Sequence, residues 1–328
     1  MRTKSLLAAA AAAGVAAAVV VAVQPAATAA PPAAPAPPNT VVKEVFSPDG
    51  KITRARVAAP VATAAPLAAV SADVVTIQNA GPSSSKFDLV FVGDGYTAAQ
   101  MATYHQHVVN RWNELIQVEP FKSMKNSFNV WQVNVVSTQS GVDNDPSKGV
   151  SRSTALDMYF WCGDMERLLC VNETKAKQYA ALAPGADQVL AVANSTKYGG
   201  AGGGVATSSG GNAQSGQIAT HELGHSIGGL ADEYDYPNDL YTGAEPREVN
   251  VSTYTSATMS RYRVKWYSYL GKTSPDGGVI GTYQGGYYYK RGVYRPTENS
   301  LMRSLGRPFN LIGLDVMKAA IARKAPAR

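Results

Sequence analysis

Short apolar runs that end at turn residues predict three β-strands in the first two thirds of the chain. The first is Phe87–Val92, which is followed by the turn Gly93-Asp94-Gly95. Phe128–Val136 and Gln188–Ala193 have the same character and a similar length. Runs of this length bounded by turn signals are typical of strands that are buried in a sheet.

Helical patterns separate these strands. Thr97-Ala98-Ala99-Gln100 has the form of a capping box and predicts a helix that continues to about Gln117. The stretch Cys162–Leu182 is predicted to be largely helical, and Ser215 is predicted to cap a helix over Gly216–Gly228. Strands that alternate with helices indicate an α/β (α+β) fold with a mixed layer of sheet and helix.

The N-terminus has the pattern of an export signal. Arg2 and Lys4 precede an uninterrupted apolar run from Leu6 to Val23, and Ala27-Thr28-Ala29 supplies small residues for cleavage. The run consists mostly of alanine, which enters lipid weakly, so cleavage is favoured over a membrane anchor. Residues 1–29 are therefore predicted to be a signal peptide, the mature protein to be secreted, and no stable membrane insertion to follow cleavage.

Residues 30–85 are rich in proline and alanine and are predicted to form a linker and an N-terminal arm or pro-segment. Pro31–Pro38 cannot bury a core. A hairpin is predicted within the arm, with Val41–Phe46 and Ile52–Val57 on either side of the turn Ser47-Pro48-Asp49-Gly50. A pro-segment here has no cysteine to cap a metal, which leaves an acidic residue such as Asp49 for that role.

Charge and cysteine content narrow the class of protein. The formal net charge of +6 falls to +4 when Arg2 and Lys4 are removed, and no dense Lys/Arg run is present, so nucleic acid is not an expected partner. Cys162 and Cys170 are the two cysteines. Because an exported chain meets oxidising conditions, a disulfide is favoured over two free thiols. A monomer is the default expectation.

The chemistry is concentrated in the predicted helix Gly216–Gly228. His221 and His225 are four residues apart, so both imidazoles project from one face of the helix and can hold one Zn²⁺ ion. Glu222 lies beside them and is predicted to be the general base, which activates a zinc-bound water for attack on a carbonyl group. A chance occurrence of this pattern is disfavoured, because the helix is capped and an acidic pair follows it.

The third ligand is predicted to be an acidic residue. No histidine follows His225, and His105 and His107 point to different faces of their helix. Asp232 is preferred over Glu233, and a more distant carboxylate completes the site if both of these acids instead cap or form salt bridges. In a continuous helix Asp232 would lie about 10.5 Å beyond His225, so the helix must break at Gly228-Gly229, where φ > 0 is accessible.

The segment from His221 to Tyr234 resembles the signature of the IgA-peptidase family of zinc metallopeptidases. Its residues read H-E-L-G-H-S-I-G-G-L-A-D-E-Y. Three further segments are similar to family segments, and together the resemblance covers Lys86 to about Phe309: Asp88–Thr97 (D-L-V-F-V-G-D-G-Y-T), Glu166–Cys170 (E-R-L-L-C) and Gly292–Pro296 (G-V-Y-R-P).

The family is similar to metzincins, which implies an upper subdomain of sheet and helix, an active-site helix, and an irregular lower subdomain. These are placed at residues 86–229, including the active-site helix, and at residues 230–328. The resemblance implies that Met302 forms a methionine turn beneath the metal. Counting from Gly229 gives Asp232 the spacing of the usual third ligand. Ser304 stands where some metzincins have a tyrosine that steadies the oxyanion, so that role is unassigned.

These observations together predict a secreted zinc-dependent endopeptidase that acts on protein or peptide substrates, with one catalytic Zn²⁺. Cleavage of immunoglobulin does not transfer from the family name, because no residue can be matched to recognition of an antibody. Two alternatives stay open, namely a non-catalytic secreted binding module on the same fold and a zinc hydrolase of a non-peptide amide.

Overall fold

The computed structural model describes residues 40–59 and 69–325. The predicted signal peptide (residues 1–29) and the proline-rich stretch Pro31–Pro38 lie outside these residues. Within the described residues no helix has both the length and the apolar character needed to cross a membrane.

The described residues form five α-helices and eleven strands, joined by several short 3₁₀ turns. The strands are β1 (Thr40–Phe46), β2 (Ile52–Ala58), β3 (Val74–Gln78), β4 (Phe87–Asp94), β5 (Phe128–Val133), β6 (Gln188–Ala193), β7 (Gly200–Ala201), β8 (Ala206–Ser209), β9 (Asp235–Leu240), β10 (Tyr283–Gly286) and β11 (Tyr288–Arg295). The helices are α1 (Met101–Leu115), α2 (Glu173–Ala180), α3 (Gly216–Gly228), α4 (Ser256–Tyr262) and α5 (Leu311–Lys324). This mixture of sheets and helices confirms the predicted α+β class.

A six-stranded mixed sheet is the largest element of the fold. Its strand order is β3-β5-β4-β6-β8-β7, in which β5, β4, β6 and β8 are parallel and both edge strands are antiparallel. The three strands predicted from apolar runs are β4, β5 and β6. Strand β3 lies within the stretch 30–85 that was assigned to the arm, yet it is hydrogen-bonded to β5 in this sheet.

Both faces of the sheet are covered, as the alternation along β4 requires. Leu89 and Phe91 pack in a core with α1, α3 and α5, whereas Val90 and Val92 pack in a second core with α2. A buried strand presents successive side chains to opposite faces, so the central run of β4, Leu89–Val92, is apolar at every position. Helix α3 is thereby held between the sheet and α5.

The predicted helix Cys162–Leu182 was mostly wrong. Only Glu173–Ala180 is α-helical, and the residues before it form a 3₁₀ turn and extended bridges. Gly163 has a φ of +56°, which interrupts a right-handed helix. The predicted disulfide between Cys162 and Cys170 is present and closes this loop.

The predicted hairpin is present as β1 and β2, which pair antiparallel around the turn 47–51. These strands form a two-stranded sheet of their own. Val45, Phe46, Ile52 and Val57 are each less than 5% exposed, so the hairpin is packed firmly onto the rest of the fold.

Candidate metal centre

Helix α3 carries the H-E-x-x-H motif and has the predicted bounds, Gly216–Gly228. Its predicted cap was wrong, because the Ser215 hydroxyl does not cap the helix and instead accepts a hydrogen bond from the Gly199 amide. A 3₁₀ turn precedes the helix, and the side chain of Asn212 caps that turn by accepting from the Gln214 amide. The helix is thus tied at its start to the glycine-rich segment beside β7.

His221 and His225 face one another at the centre of the site. Their Nε2 atoms are 3.1 Å apart. The Nδ1 atom of His221 lies 3.0 Å from the Leu301 carbonyl oxygen, and Nδ1 of His225 lies 2.6 Å from that of Leu230. A carbonyl can only accept, so each Nδ1 carries a proton, and in the neutral form of each ring Nε2 presents a lone pair to the space between the rings.

The chain turns back after α3 and brings Asp232 to the same point. Gly229 has a φ of +59°, and its amide donates to the His225 carbonyl at 2.8 Å. The turn that the glycine pair was predicted to provide is therefore made at Gly229. Asp232 Oδ1 lies 3.3 Å from Nε2 of both histidines, and Oδ2 accepts from the Tyr288 hydroxyl at 2.6 Å.

Glu233, the alternative third ligand, points elsewhere. Its buried carboxylate accepts hydrogen bonds from Ser300 Oγ at 2.7 Å, Asn250 Nδ2 at 2.9 Å and Asn310 Nδ2 at 2.8 Å. Burial raises the pKa of Glu233, and these hydrogen bonds oppose the rise. The structure therefore brings together His221, His225 and Asp232 and leaves Glu233 apart from them.

Glu222 is buried against the glycine-rich segment. A Cβ atom at Gly202 would lie 2.3 Å from both carboxylate oxygens of Glu222, so only glycine leaves room for this carboxylate. Its Oε1 atom is buried without a hydrogen-bond partner. Burial and the nearby charge of Glu44 raise the pKa of Glu222 to about 8, while the two histidines oppose the rise. A carboxylate whose pKa lies close to neutral pH suits a general base.

Two site residues were not predicted from the sequence, and both involve the N-terminal hairpin. Glu44 on β1 places Oε2 3.2 Å from His221 Nε2 and 3.6 Å from His225 Nε2. Its Oε1 atom accepts from the Tyr234 hydroxyl at 2.6 Å. Burial and the neighbouring carboxylates raise the pKa of Tyr234 far above its ordinary value, so the hydroxyl keeps its proton.

The donor set fits a divalent cation. One ligand atom from each of Glu44, His221, His225 and Asp232 lies within 4.8 Å of the others. Asp232 Oδ1 is buried without a hydrogen-bond donor. Burial alone would lower the pKa of His221, but Glu44 and Asp232 outweigh it and raise the pKa to about 10, so without a metal these carboxylates draw a second proton onto the imidazole and a bound cation would take its place. Nitrogen and carboxylate acceptors converging on one buried point require a positive charge, and Zn²⁺ takes such ligands.

Met302 lies beneath the metal-binding face, where the resemblance to metzincins placed it. A Cβ atom at Gly224 would lie 2.7 Å from its sulfur, so α3 and Met302 are in close contact. The carbonyl of the preceding Leu301 orients His221.

The other two histidines, His105 and His107, make contacts away from this site. Nδ1 of His105 lies 2.9 Å from Gln132 Oε1, and Nδ1 of His107 lies 2.8 Å from the Tyr96 hydroxyl.

A helix that presents two histidines, with a glutamate beside them and an aspartate returning to the same point, defines a centre suited to a metal-dependent hydrolase. The sequence matches the family described as IgA Peptidase M64 over residues 75–277 and 272–321, well over half of the chain. The chain belongs to this family of peptidases. No curated protein shows a significant match to it.

Proposed function

We propose that the protein is a secreted zinc-dependent endopeptidase in which His221, His225 and Asp232 hold one Zn²⁺. The observation that carries this proposal is the convergence described above, since Nε2 of His221, Nε2 of His225 and Asp232 Oδ1 lie within 3.3 Å of one another. When bound, zinc supplies a Lewis acid that polarises the carbonyl group of the scissile bond and favours ionisation of water.

Glu222 performs the proton transfers in this proposal. It takes a proton from the attacking water and returns it to the nitrogen of the departing amine, as a general base and then a general acid. The contact with Gly202 fixes the position of its carboxylate, because the backbone there leaves a slot with no side chain.

Tyr234 is the residue we assign to the developing oxyanion. Its hydroxyl donates to Glu44 Oε1, one of two oxygens of a carboxylate that lies against the metal-binding side chains. A substrate carbonyl at that place would receive the same hydrogen bond when negative charge develops on its oxygen. Ser304, at the position that some metzincins give to tyrosine, forms a bridge with Lys51 of the hairpin turn instead.

The path of β1 supports an endopeptidase. The strand runs from Thr40 to Phe46 and so continues on both sides of Glu44, which supports a site with room for an extended polypeptide that continues in both directions. An exopeptidase or a hydrolase of small amides would need a site that is closed at one end. This observation favours protein or peptide substrates over the non-peptide alternative.

Two observations support secretion. The N-terminal residues have the charged, apolar and small-residue pattern of an export signal. The disulfide Cys162–Cys170 belongs to a class of bond that forms and persists in oxidising compartments. The monomeric state and the lack of nucleic-acid partners stay predictions.

The proposal is tested by zinc content and proteolysis together. We expect about one zinc per chain in the parent, a loss of that zinc in His225→Ala, and its retention in the control His105→Ala. Hydrolysis of an unfolded protein is measured in the parent and in Glu44→Ala, because Glu44 lies among the ligand atoms. Absence of zinc from the parent after incubation with the metal would reject the enzyme and favour a binding module. Zinc without cleavage of any polypeptide by either chain would reject the peptidase.

A further inference from the structure

Glu44 comes from a part of the chain that lies outside the region matching the family. Strands β1 and β2 pair with each other and with no strand of the six-stranded sheet. The family match begins at residue 75, after the hairpin has ended at Ala58. The region that matches the family therefore does not include the hairpin, and Glu44 is an addition to the three ligands proposed from that region.

The hairpin crosses the site and is attached on both sides of it. Lys43 Nζ lies 2.9 Å from Glu173 Oε1 and donates to the Gly202 carbonyl at 2.9 Å. At the other end of the hairpin, the Leu305 amide donates to the Gly50 carbonyl at 2.9 Å. Glu44 lies between these attachments, next to Phe46, whose ring meets the His221 ring edge-on at 5.5 Å.

The hairpin also packs into a specific apolar cluster. Val45 and Val57 pack with Leu168 and the disulfide Cys162–Cys170 in one buried cluster. Arg167 donates to the Phe46 carbonyl at 3.0 Å and to Ser47 Oγ at 2.9 Å. A flexible arm that was only loosely attached to the surface would not have this complementary set of polar and apolar contacts.

Glu44 engages the groups that the proposed reaction needs free. Its carboxylate faces both histidines, accepts from Tyr234 and lies near Glu222. Catalytic zinc sites have three protein ligands and keep the fourth position for water or substrate, whereas sites with four protein ligands are structural. With Glu44 in place, the site has the closed form.

We propose that Glu44 is an intramolecular fourth ligand, carried by the hairpin Thr40–Ala58, that occupies the position of the substrate and keeps the peptidase inactive. This inference rests on the proposed function. Displacement of the hairpin, or cleavage of the chain between Ala58 and Val74 followed by its departure, opens the fourth position. The hairpin acts as a competitor at high effective concentration, because it is tethered to the site that it fills.

The test compares the full-length parent with Glu44→Ala, the isosteric Glu44→Gln and the control Arg56→Ala. Arg56 is exposed on β2 and distant from the ligand atoms. Three quantities are measured: zinc affinity by competition with a chromophoric chelator, binding of acetohydroxamate to the zinc-loaded protein, and hydrolysis of a polypeptide. Thermal unfolding verifies that each variant is folded, and Glu44→Gln replaces Glu44→Ala if the latter is not.

We expect loss of the Glu44 carboxylate to lower zinc affinity but to raise hydroxamate binding and the rate of hydrolysis. Zinc affinity falls by about 10- to 100-fold, because a ligand is lost. Hydroxamate binding and hydrolysis each rise at least about tenfold, because apparent affinity scales with the open fraction of the protein. Arg56→Ala behaves as the parent does. A residue that merely supported the site would lower all three quantities when removed.

Two results would overturn the inference while leaving the proposed function intact. One is zinc-loaded Glu44→Ala that binds hydroxamate no better than the parent does. The other is a variant with weaker zinc binding and slower hydrolysis together, which would make Glu44 a contributor to catalysis. If hydrolysis is absent in every chain, the hydroxamate comparison still decides whether Glu44 fills the position. Failure of the parent to bind zinc rejects both proposals.

Discussion

Around Glu233, three side chains donate hydrogen bonds to a carboxylate that is fully buried. One residue earlier, Asp232 is also buried, but its Oδ1 atom faces the Nε2 atoms of two histidines at 3.3 Å and not a set of fixed amide and hydroxyl donors. Asp94, at the end of β4, resembles Glu233, since Ser137, Thr154 and the amides of Leu156 and Met158 all donate to it.

The difference separates structural acids from functional ones. Burying a carboxylate is costly unless donors compensate its charge. Glu233 and Asp94 are compensated by the protein itself and serve to join segments of the chain. Asp232 and Glu222 keep oxygen atoms without partners close to the two histidines, where a bound cation can compensate the charge of Asp232.

Replacing the functional acid should have the largest effect. Asp232→Asn keeps the shape and the hydrogen bond from Tyr288 but removes the charge, so we expect zinc affinity to fall by more than about 100-fold, beyond the usual effect of an outer-shell change. Competition with a chromophoric chelator measures it. Glu233→Gln is the matched control and should bind zinc as the parent does. Equal zinc binding by Asp232→Asn and the parent would place the third ligand elsewhere.

Removing the base should leave the metal in place. In Glu222→Gln, we expect kcat to fall by about 10²- to 10⁴-fold, which is the usual contribution of a positioned general base. Zinc content should stay at the parent level, because the side chain is not among the group of ligand atoms. Rates are measured in the Glu44→Ala background, so that the hairpin does not mask the effect. Undiminished hydrolysis would assign the proton transfer to another group.

Two tyrosines near the site offer a finer comparison. Tyr234→Phe should lower kcat by about 10²-fold with zinc affinity unchanged, because it removes a donor to the oxyanion. Tyr288→Phe should instead weaken zinc binding by about tenfold, because its hydroxyl holds Asp232. Steady-state kinetics and chelator competition on both variants, again with Glu44→Ala, separate the two roles. A reversed pattern would exchange our assignments.

The smallest effect on the reaction should come from the structural acid. Glu233→Gln turns an acceptor of several hydrogen bonds into a side chain with two donors of its own, which leaves buried groups unpaired. We expect the free energy of unfolding to fall by about 1–3 kcal/mol. Urea unfolding measures the loss, and kcat of the folded variant should match that of its parent. A large loss of kcat would mean that Glu233 also positions Asp232.

Local patterns were sufficient to predict much of this arrangement. The bounds of β6 were predicted from its apolar run, those of α3 from the residues that flank it, and the hairpin from its turn sequence. The helix had to break at the glycine pair because a zinc ion demands ligands within a few ångströms. Asp232 was preferred over Glu233 on spacing alone, without any knowledge of what binds Glu233.

The remaining features depend on contacts between distant parts of the chain. Glu44 precedes His221 by 177 residues, and nothing near it in sequence distinguishes it from an ordinary acid on a strand. The donors to Glu233 come from three separate segments. The helix predicted over Cys162–Leu182 failed because the disulfide and the bridges to Tyr159 and Gly200 hold residues 162–170 in a looped, extended path. Such constraints override local helix propensity.

The number of residues after the left-handed turn at Gly229 determines which of the two acids lies beside the histidines. Asp232, three residues after Gly229, lies beside the histidines. Glu233, four residues after it, accepts the hydrogen bonds of the buried polar network. Deleting one residue between Gly229 and Asp232 would slide Glu233 into the position beside the histidines and draw Tyr234 into the network. The chain length between helix and aspartate is therefore as much a part of the catalytic apparatus as the side chains themselves, and a change of one residue there would alter two functions at once.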